Sequence, residues 1–243
     1  MPVGIIINSL AIVSGGAAGA WMGNKLGMDF KEKLNMIFGV CSMGMGISSI
    51  VLMVNMPAVI FALIIGTMLG LSIRLGDWIN RAAVQMQRFI SKFVRNTNQD
   101  ITEAEFTATL VTIIVLFCAS GTGIYGSIVS GMSGDHSILL SKSILDLFTA
   151  LIFACTLGIV VTIIAIPQFI IFLLLFFMAG VIFPLTTPEM INDFKACGGF
   201  IMLATGFRMI KVRMFPIADM IPAMILVMPL SALWTTYVLP LVG

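Results

Sequence analysis

Eight long apolar stretches run through the sequence, and they restrict the possible folds more than any other feature. A helix needs about 20 mostly apolar residues to cross the hydrocarbon of a bilayer. The chain is 59% hydrophobic and only 10% charged, whereas soluble domains are about 45–50% apolar and about 25% charged. We therefore predict an all-α, polytopic membrane bundle of about eight transmembrane helices. The stretches lie near residues 3–23, 36–54, 57–75, 106–130, 138–165, 168–187, 196–211 and 220–241.

The distribution of basic residues supports this count, because Lys and Arg collect in cytoplasmic loops. With eight crossings and both termini outside, only Lys142 and Lys195 of the 13 basic residues remain on the outer side. The other basic residues fall in cytoplasmic loops: Lys25, Lys31, Lys33, Arg74, Arg81, Arg88, Lys92, Arg95, Arg208, Lys211 and Arg213. We therefore expect both termini to lie outside the cytoplasm.

One long polar segment, residues 76–105, separates the third and fourth stretches. Its apolar residues recur at helical spacing, which predicts an amphipathic helix at the cytoplasmic interface with its basic face toward anionic head groups. A short soluble helix packed on loops is the alternative. The predicted apolar face comprises Trp78, Ile79, Ala82, Ala83, Met86, Phe89, Ile90 and Phe93. A turn follows at 96–100, and Thr102 with Glu105 predicts a capping box at the start of the next helix.

The first three and the last three stretches share a pattern that indicates an internal repeat. In each half a long apolar helix precedes a charged connector, a short glycine-rich helix and a helix led by Pro57 or Pro222. Five spans, an odd number, separate equivalent elements, so the halves would be inverted, as in many transporters. Chance similarity between glycine-rich helices is the alternative.

The expected organisation follows from this repeat. It consists of a first three-helix repeat (1–75), a cytoplasmic helix and linker (76–105), a central two-helix unit (106–166) and a second, inverted repeat (167–243).

The end of the fourth stretch, residues 121–135, is too rich in glycine for us to expect a uniform helix there. Irregular backbone at membrane depth is tolerated only inside protein or beside a water-filled cavity. Its carbonyl and hydroxyl groups could bind a cation or a polar solute, and a tight helix-crossing seam is the alternative. The candidate binding residues are Gly121, Thr122, Gly123, Ser127, Ser130 and Asp135.

Two charged residues follow inside the fifth stretch. Lys142 and Asp146 are one helical turn apart and can pair. Charged groups within spans usually face a bundle interior and mark substrate or proton pathways. Asp146 is therefore the main candidate for an ion or proton ligand, while Lys142 could instead extend to the interface. Asn8, in the first stretch, could bind a solute or form a structural hydrogen bond.

Several function classes are not supported. The net charge of +2 does not suggest nucleic-acid binding. The four cysteines are far apart and there is one histidine, His136, so neither a metal site nor a disulfide framework is expected. Gly131-Met-Ser-Gly134 matches the GxSG pattern of serine intramembrane proteases, but His136 is too near to be the partner on another helix. We expect no enzyme and no cofactor.

A family resemblance adds to this interpretation. Gly134-Asp135, followed by LLSKSILD at residues 139–146, resembles the central motif of domain-of-unknown-function family 554, the YqgA-like bacterial membrane proteins. The glycines near Asn8 in the first stretch are also similar to that family, and so is the run from Gly198-Gly199 to Gly206 with Pro222 after it. The chain departs from the family at Asp219, where the family usually has Asn. The resemblance implies a bacterial inner-membrane protein of the kind often labelled as a transport protein.

Two hypotheses for function remain. The first is a secondary transporter or permease of a small ion or polar solute, whose partners are the bilayer and that solute. The second is a non-transporting membrane scaffold, in which glycine seams and the Lys142–Asp146 pair serve packing. Assembly into a homo-oligomer is compatible with both.

Overall fold

The computed structural model describes residues 1–23, 27–92 and 102–242, and these residues form helices and no strands. They divide into two compact units, each assembled from separate parts of the chain. Unit 1 contains Met1–Asn35 and Trp78–Val181, and unit 2 contains Met36–Asp77 and Ile182–Gly243. The all-α fold class is confirmed.

The helices, numbered in chain order, have the following bounds. They are α1 (Val3–Met22), α2 (Met28–Ile50), α3 (Met56–Ser72), α4 (Leu75–Ile90), α5 (Glu103–Cys118), α6 (Gly121–Ser133), α7 (Ser137–Leu157), α8 (Val160–Ile163), α9 (Ala165–Ile182), α10 (Pro188–Met209), α11 (Ile217–Leu233) and α12 (Leu239–Val242). A π-helical turn, Trp234–Val238, joins the last two.

Five helical runs are long and apolar enough to cross a membrane, and a bent pair of helices, α3 with α4, makes a sixth if it counts as one span. The runs are Val3–Met22, Glu103–Ser133, Ser137–Leu157, Val160–Leu185 and Ile217–Leu241. The predicted stretches 36–54 and 196–211 are not among them. The helices that include most of these two stretches, α2 and α10, begin with several charged residues, which shortens their apolar part. The number eight therefore stays a prediction.

Two boundaries differ from those expected. Gly121–Ser133 is a single regular α-helix, so the prediction of a non-uniform segment was wrong. The break lies just before it, at Ala119 and Ser120. The fifth predicted stretch ends earlier than expected, at Gly158, whose φ of 74° favours glycine.

The polar segment contains the expected helix, α4, and the capping box of Thr102 and Glu105 is confirmed. Ala83 and Ile90 pack into the core of unit 1. Trp78 and Phe89, predicted on the same apolar face, are instead 62% and 60% exposed. Phe93, Arg95 and the turn at 96–100 lie outside the described residues.

Glycines bring α1 and α7 into close contact in unit 1. A Cβ atom added to Gly15 would overlap the carbonyl oxygen of Leu147, and one added to Gly19 would overlap that of Leu151. The contacting residue numbers rise together, so the two helices run parallel. This close approach places residues of the first helix directly against the fifth predicted stretch.

Unit 2 contains the corresponding contacts between helices that run in opposite directions. Gly39 of α2 lies against Gly206 of α10, and Gly46 lies against Gly199. Gly70 of α3 similarly lies against the backbone of Asp219 in α11. Small residues at such crossings allow helix backbones to approach closely.

We expect Gly15→Ala to destabilise the protein by about 1–3 kcal/mol or more, because a methyl group there forces α1 away from α7. Gly180→Ala is the matched control, since a Cβ at that helical position has no neighbour within 4 Å. Thermal unfolding of the detergent-purified protein measures both effects. Equal melting temperatures for the two variants would contradict the close α1–α7 contact.

Candidate functional site

A buried ion pair lies on α7. The Lys142 ammonium contacts both carboxylate oxygens of Asp146, with Nζ 2.7 Å from Oδ1 and 2.5 Å from Oδ2. The two residues are 4% and 6% exposed. Their spacing of four residues brings the side chains together on one helix face, and Lys142 therefore turns inward to Asp146.

Two amide side chains extend the pair into a network across three helices. Asn8 of α1 donates from Nδ2 to Asp146 Oδ2 at 2.8 Å. Gln168 of α9 donates from Nε2 to Asn8 Oδ1, and Ser9 donates to Gln168 Oε1 at 2.9 Å. Asn8 and Gln168 are fully buried. We call these five residues the Asp146 network.

The surroundings of the network are apolar. Ile5, Leu139 and Phe172 form one buried cluster on its helices. The ring of Phe117, near the end of α5, lies 6.0 Å from Lys142 Nζ. An isolated charge in such surroundings is strongly unfavourable, so the close contact between the ammonium and the carboxylate offsets part of the cost of burying both. A proton or a competing cation at Asp146 would therefore alter the position of Lys142.

Two candidate residues in and just after the glycine-rich helix α6, Ser127 and Asp135, make hydrogen bonds close to their own positions in the chain. Ser127 donates to the Gly123 carbonyl of its own helix, and Asp135 accepts from the backbone of Ser137 at the start of α7. A Cβ on Gly123 would overlap the ring of Phe172. The helix thus forms a tight seam with α9, as the alternative interpretation expected. Gly121 and Thr122 are buried in the first turn of α6.

Ser130 makes a contact that the sequence did not predict, a hydrogen bond of 2.7 Å between its Oγ and His136 Nδ1. Ser130 is only 2% exposed, and the bond joins the end of α6 to the residue that precedes α7. Ser133, the serine of the GxSG pattern, donates to the Val129 carbonyl.

Of the predicted site residues, the structure brings together Asn8, Lys142 and Asp146. Sequence reasoning missed Gln168 and Ser9. An amide inside an otherwise apolar run was the available signal for Gln168, whereas a serine near the start of a glycine-rich helix carried none. No group of His, Cys, Asp and Glu residues suited to a metal occurs in the described parts of the chain.

Comparison with known proteins identifies the family. The family model "Protein of unknown function (DUF554)" matches residues 3–232. The chain belongs to this family.

Two relatives of this DUF554 protein span nearly its whole length. "Uncharacterized protein YqgA" of Escherichia coli strain K12 is 44% identical over 237 residues, which cover 98% of this chain and 99% of that protein. "Uncharacterized membrane protein YdfK" of Bacillus subtilis strain 168 is 22% identical over 223 residues, or 92% and 93% of the two chains. No solved structure matches. The family resemblance is confirmed, and the DUF554 protein is a multi-pass membrane protein.

Stability measurements on this DUF554 protein will test the energetics of the ion pair. We expect Lys142→Met alone and Asp146→Leu alone each to lower the free energy of unfolding by about 3–5 kcal/mol, because each leaves a buried charge unpaired. The double variant should lose only about 1–3 kcal/mol, chiefly because Asn8 loses its acceptor.

Chemical denaturation of the four proteins completes the double-mutant cycle. Additive losses in the double variant would show that the two side chains do not interact in the folded protein.

Proposed function

We propose that the protein is a secondary transporter or permease for a small ion or polar solute, with Asp146 as the residue that binds the transported species or a coupling ion. The Asp146 network carries this proposal. Packing alone does not require a charge pair, since apolar residues of similar volume often replace a buried pair with no loss of stability. Ionisable residues inside membrane bundles are characteristic of substrate and proton pathways.

Helix breaks beside the network support the same function. The α5–α6 break follows Cys118 directly, and Phe117 faces Lys142. A second break at Gly158 ends the helix that bears the ion pair. Discontinuous helices are a recurrent feature of transporter binding sites.

The expected inverted repeat also supports transport. In unit 2 the glycines of α2 and α10 have the same spacing, Gly39 and Gly46 against Gly199 and Gly206, and they meet in reversed order. Such reciprocal contacts are what two inverted copies of one element would make. Alternating access in repeat-built transporters uses the movement of one repeat against the other.

The inner membrane of a bacterium, with both termini outside, is the proposed location. The asymmetry of Lys and Arg supports it. The helix directions agree with this topology, which requires α1 and α7 to be parallel and α2 and α10 to be antiparallel.

A transport step follows from the chemistry of the pair. A cation or proton that reaches Asp146 competes with Lys142 for the carboxylate, and Asn8 keeps that carboxylate oriented during the exchange. The route along residues 121–135 then requires the α6–α9 seam at Gly123 and Phe172 to open.

A non-transporting oligomeric scaffold is the second candidate. The observation that favours it is the completeness of the network, since no fully buried polar side-chain atom in the described residues lacks a hydrogen-bond partner. In a scaffold the seam would stay closed at all times.

Thiol labelling distinguishes the two candidates. Ser127 is fully buried in α6, and we expect Ser127→Cys to react with a membrane-impermeant maleimide whenever the seam opens. Cys41, the exposed native cysteine, should first be replaced by serine.

Ser42→Cys, buried in unit 2, is the control and should stay unreactive. If Ser127→Cys is as inert as this control in every ion and solute tested, the transport route is wrong and the scaffold is favoured.

A further inference from the structure

A second buried carboxylate, Asp193 of α10, lies in unit 2 and is fully inaccessible. Its Oδ1 accepts from the backbone N–H groups of Val54 at 2.8 Å and Asn55 at 2.9 Å. Its Oδ2 accepts from Ser231 Oγ at 2.7 Å and from Asn55 Nδ2 at 3.0 Å. The ion pairs found in the described residues do not include Asp193. The four donors just described are all uncharged, whereas Asp146 pairs with the Lys142 ammonium.

Three oxygen atoms converge on the side-chain amide of Asn55. Nδ2 lies 3.0 Å from Asp193 Oδ2, 3.3 Å from Ser231 Oγ and 3.1 Å from Thr235 Oγ1. An amide nitrogen has only two hydrogens, and the Ser231 hydroxyl already donates its own hydrogen to Asp193. The amide nitrogen therefore meets three acceptor oxygens with two hydrogens, and one of these oxygens belongs to a carboxylate, which is an arrangement that also suits a cation.

The cluster is more than a helix cap. Asn55 is the N-cap residue of α3, yet its side chain makes no capping bond to that helix. Thr235 is an exposed residue, so the cluster reaches the surface of unit 2. Thr235 also lies in the π-helical turn, and such turns occur frequently at functional sites.

We propose that Asp193, Asn55, Ser231 and Thr235 bind a monovalent metal cation of the size of sodium. Rotation of the Asn55 amide would present its Oδ1 in place of Nδ2 and complete a set of four oxygen ligands, which suits hard cations. One carboxylate neutralises one positive charge, whereas a divalent ion would leave excess charge in a buried site. This proposal is independent of the proposed function, because none of the four residues belongs to the Asp146 network.

Thermal unfolding of the full-length protein in detergent tests the site, because a ligand that binds only the folded state raises the melting temperature. Sodium chloride replaces choline chloride at constant ionic strength. We expect a saturable, sodium-dependent rise in the wild type, no such rise in Asp193→Asn, and an unchanged rise in Thr205→Val, a control on the same helix whose hydroxyl bonds only to the Ile201 carbonyl in the hydrogen bonds described.

Thr235→Val is a second variant that tests the same site. Because Thr235 is exposed, we expect this substitution to leave the protein folded. We expect it to raise the half-saturating sodium concentration by about tenfold, as for the loss of one interaction of hydrogen-bond strength. This variant decides the question if Asp193→Asn does not fold.

Three results would overturn the proposal: equal melting temperatures in sodium and choline for the wild type, a sodium effect that persists in Asp193→Asn, or an unaltered sodium dependence in Thr235→Val. Stability that depends on pH but not on sodium would assign a proton to Asp193 instead.

Discussion

Charges within the apolar interior of this protein have to be satisfied by other groups of the same chain, because neither lipid tails nor an apolar core offers hydrogen bonds. The two units meet this requirement in different ways. In unit 1 the ammonium of Lys142 neutralises Asp146, and Asn8 donates a hydrogen bond to the same carboxylate. In unit 2 backbone N–H groups and the side chains of Asn55 and Ser231 donate hydrogen bonds to Asp193. The helices that supply these partners must therefore hold a fixed register.

Glycine contacts set that register. The approach of α1 to α7 at Gly15 and Gly19 brings Asn8 within hydrogen-bond distance of Asp146. The corresponding contacts of α3 with α11 accompany the meeting of Asn55 and Ser231. The same close contacts that pack the helices thus assemble the polar centres, and for this reason the transport and scaffold hypotheses share so many features.

Local signals in the sequence predicted the parts of the structure that depend on neighbouring residues. The four-residue spacing of Lys142 and Asp146 predicted their pairing, and the spacing of Thr102 and Glu105 predicted the capping box. Contacts over long sequence separations were not predictable from one sequence. Gln168 reaches Asn8 across 160 residues, and Asp193 reaches Asn55 across 138. The glycine-rich helix α6 was misjudged because its packing against α9 outweighs the weak helix propensity of glycine.

The central claim, that Asp146 binds a transported or coupling ion, is tested most directly by flux into proteoliposomes. A panel of inorganic ions, amino acids and small organic anions would first be screened for uptake by the wild type. The account predicts uptake of at least one solute, and its loss in Asp146→Asn reconstituted at the same density and folded by its melting curve. Full uptake of an identified solute by both Asp146→Asn and Asp146→Ala would contradict the account.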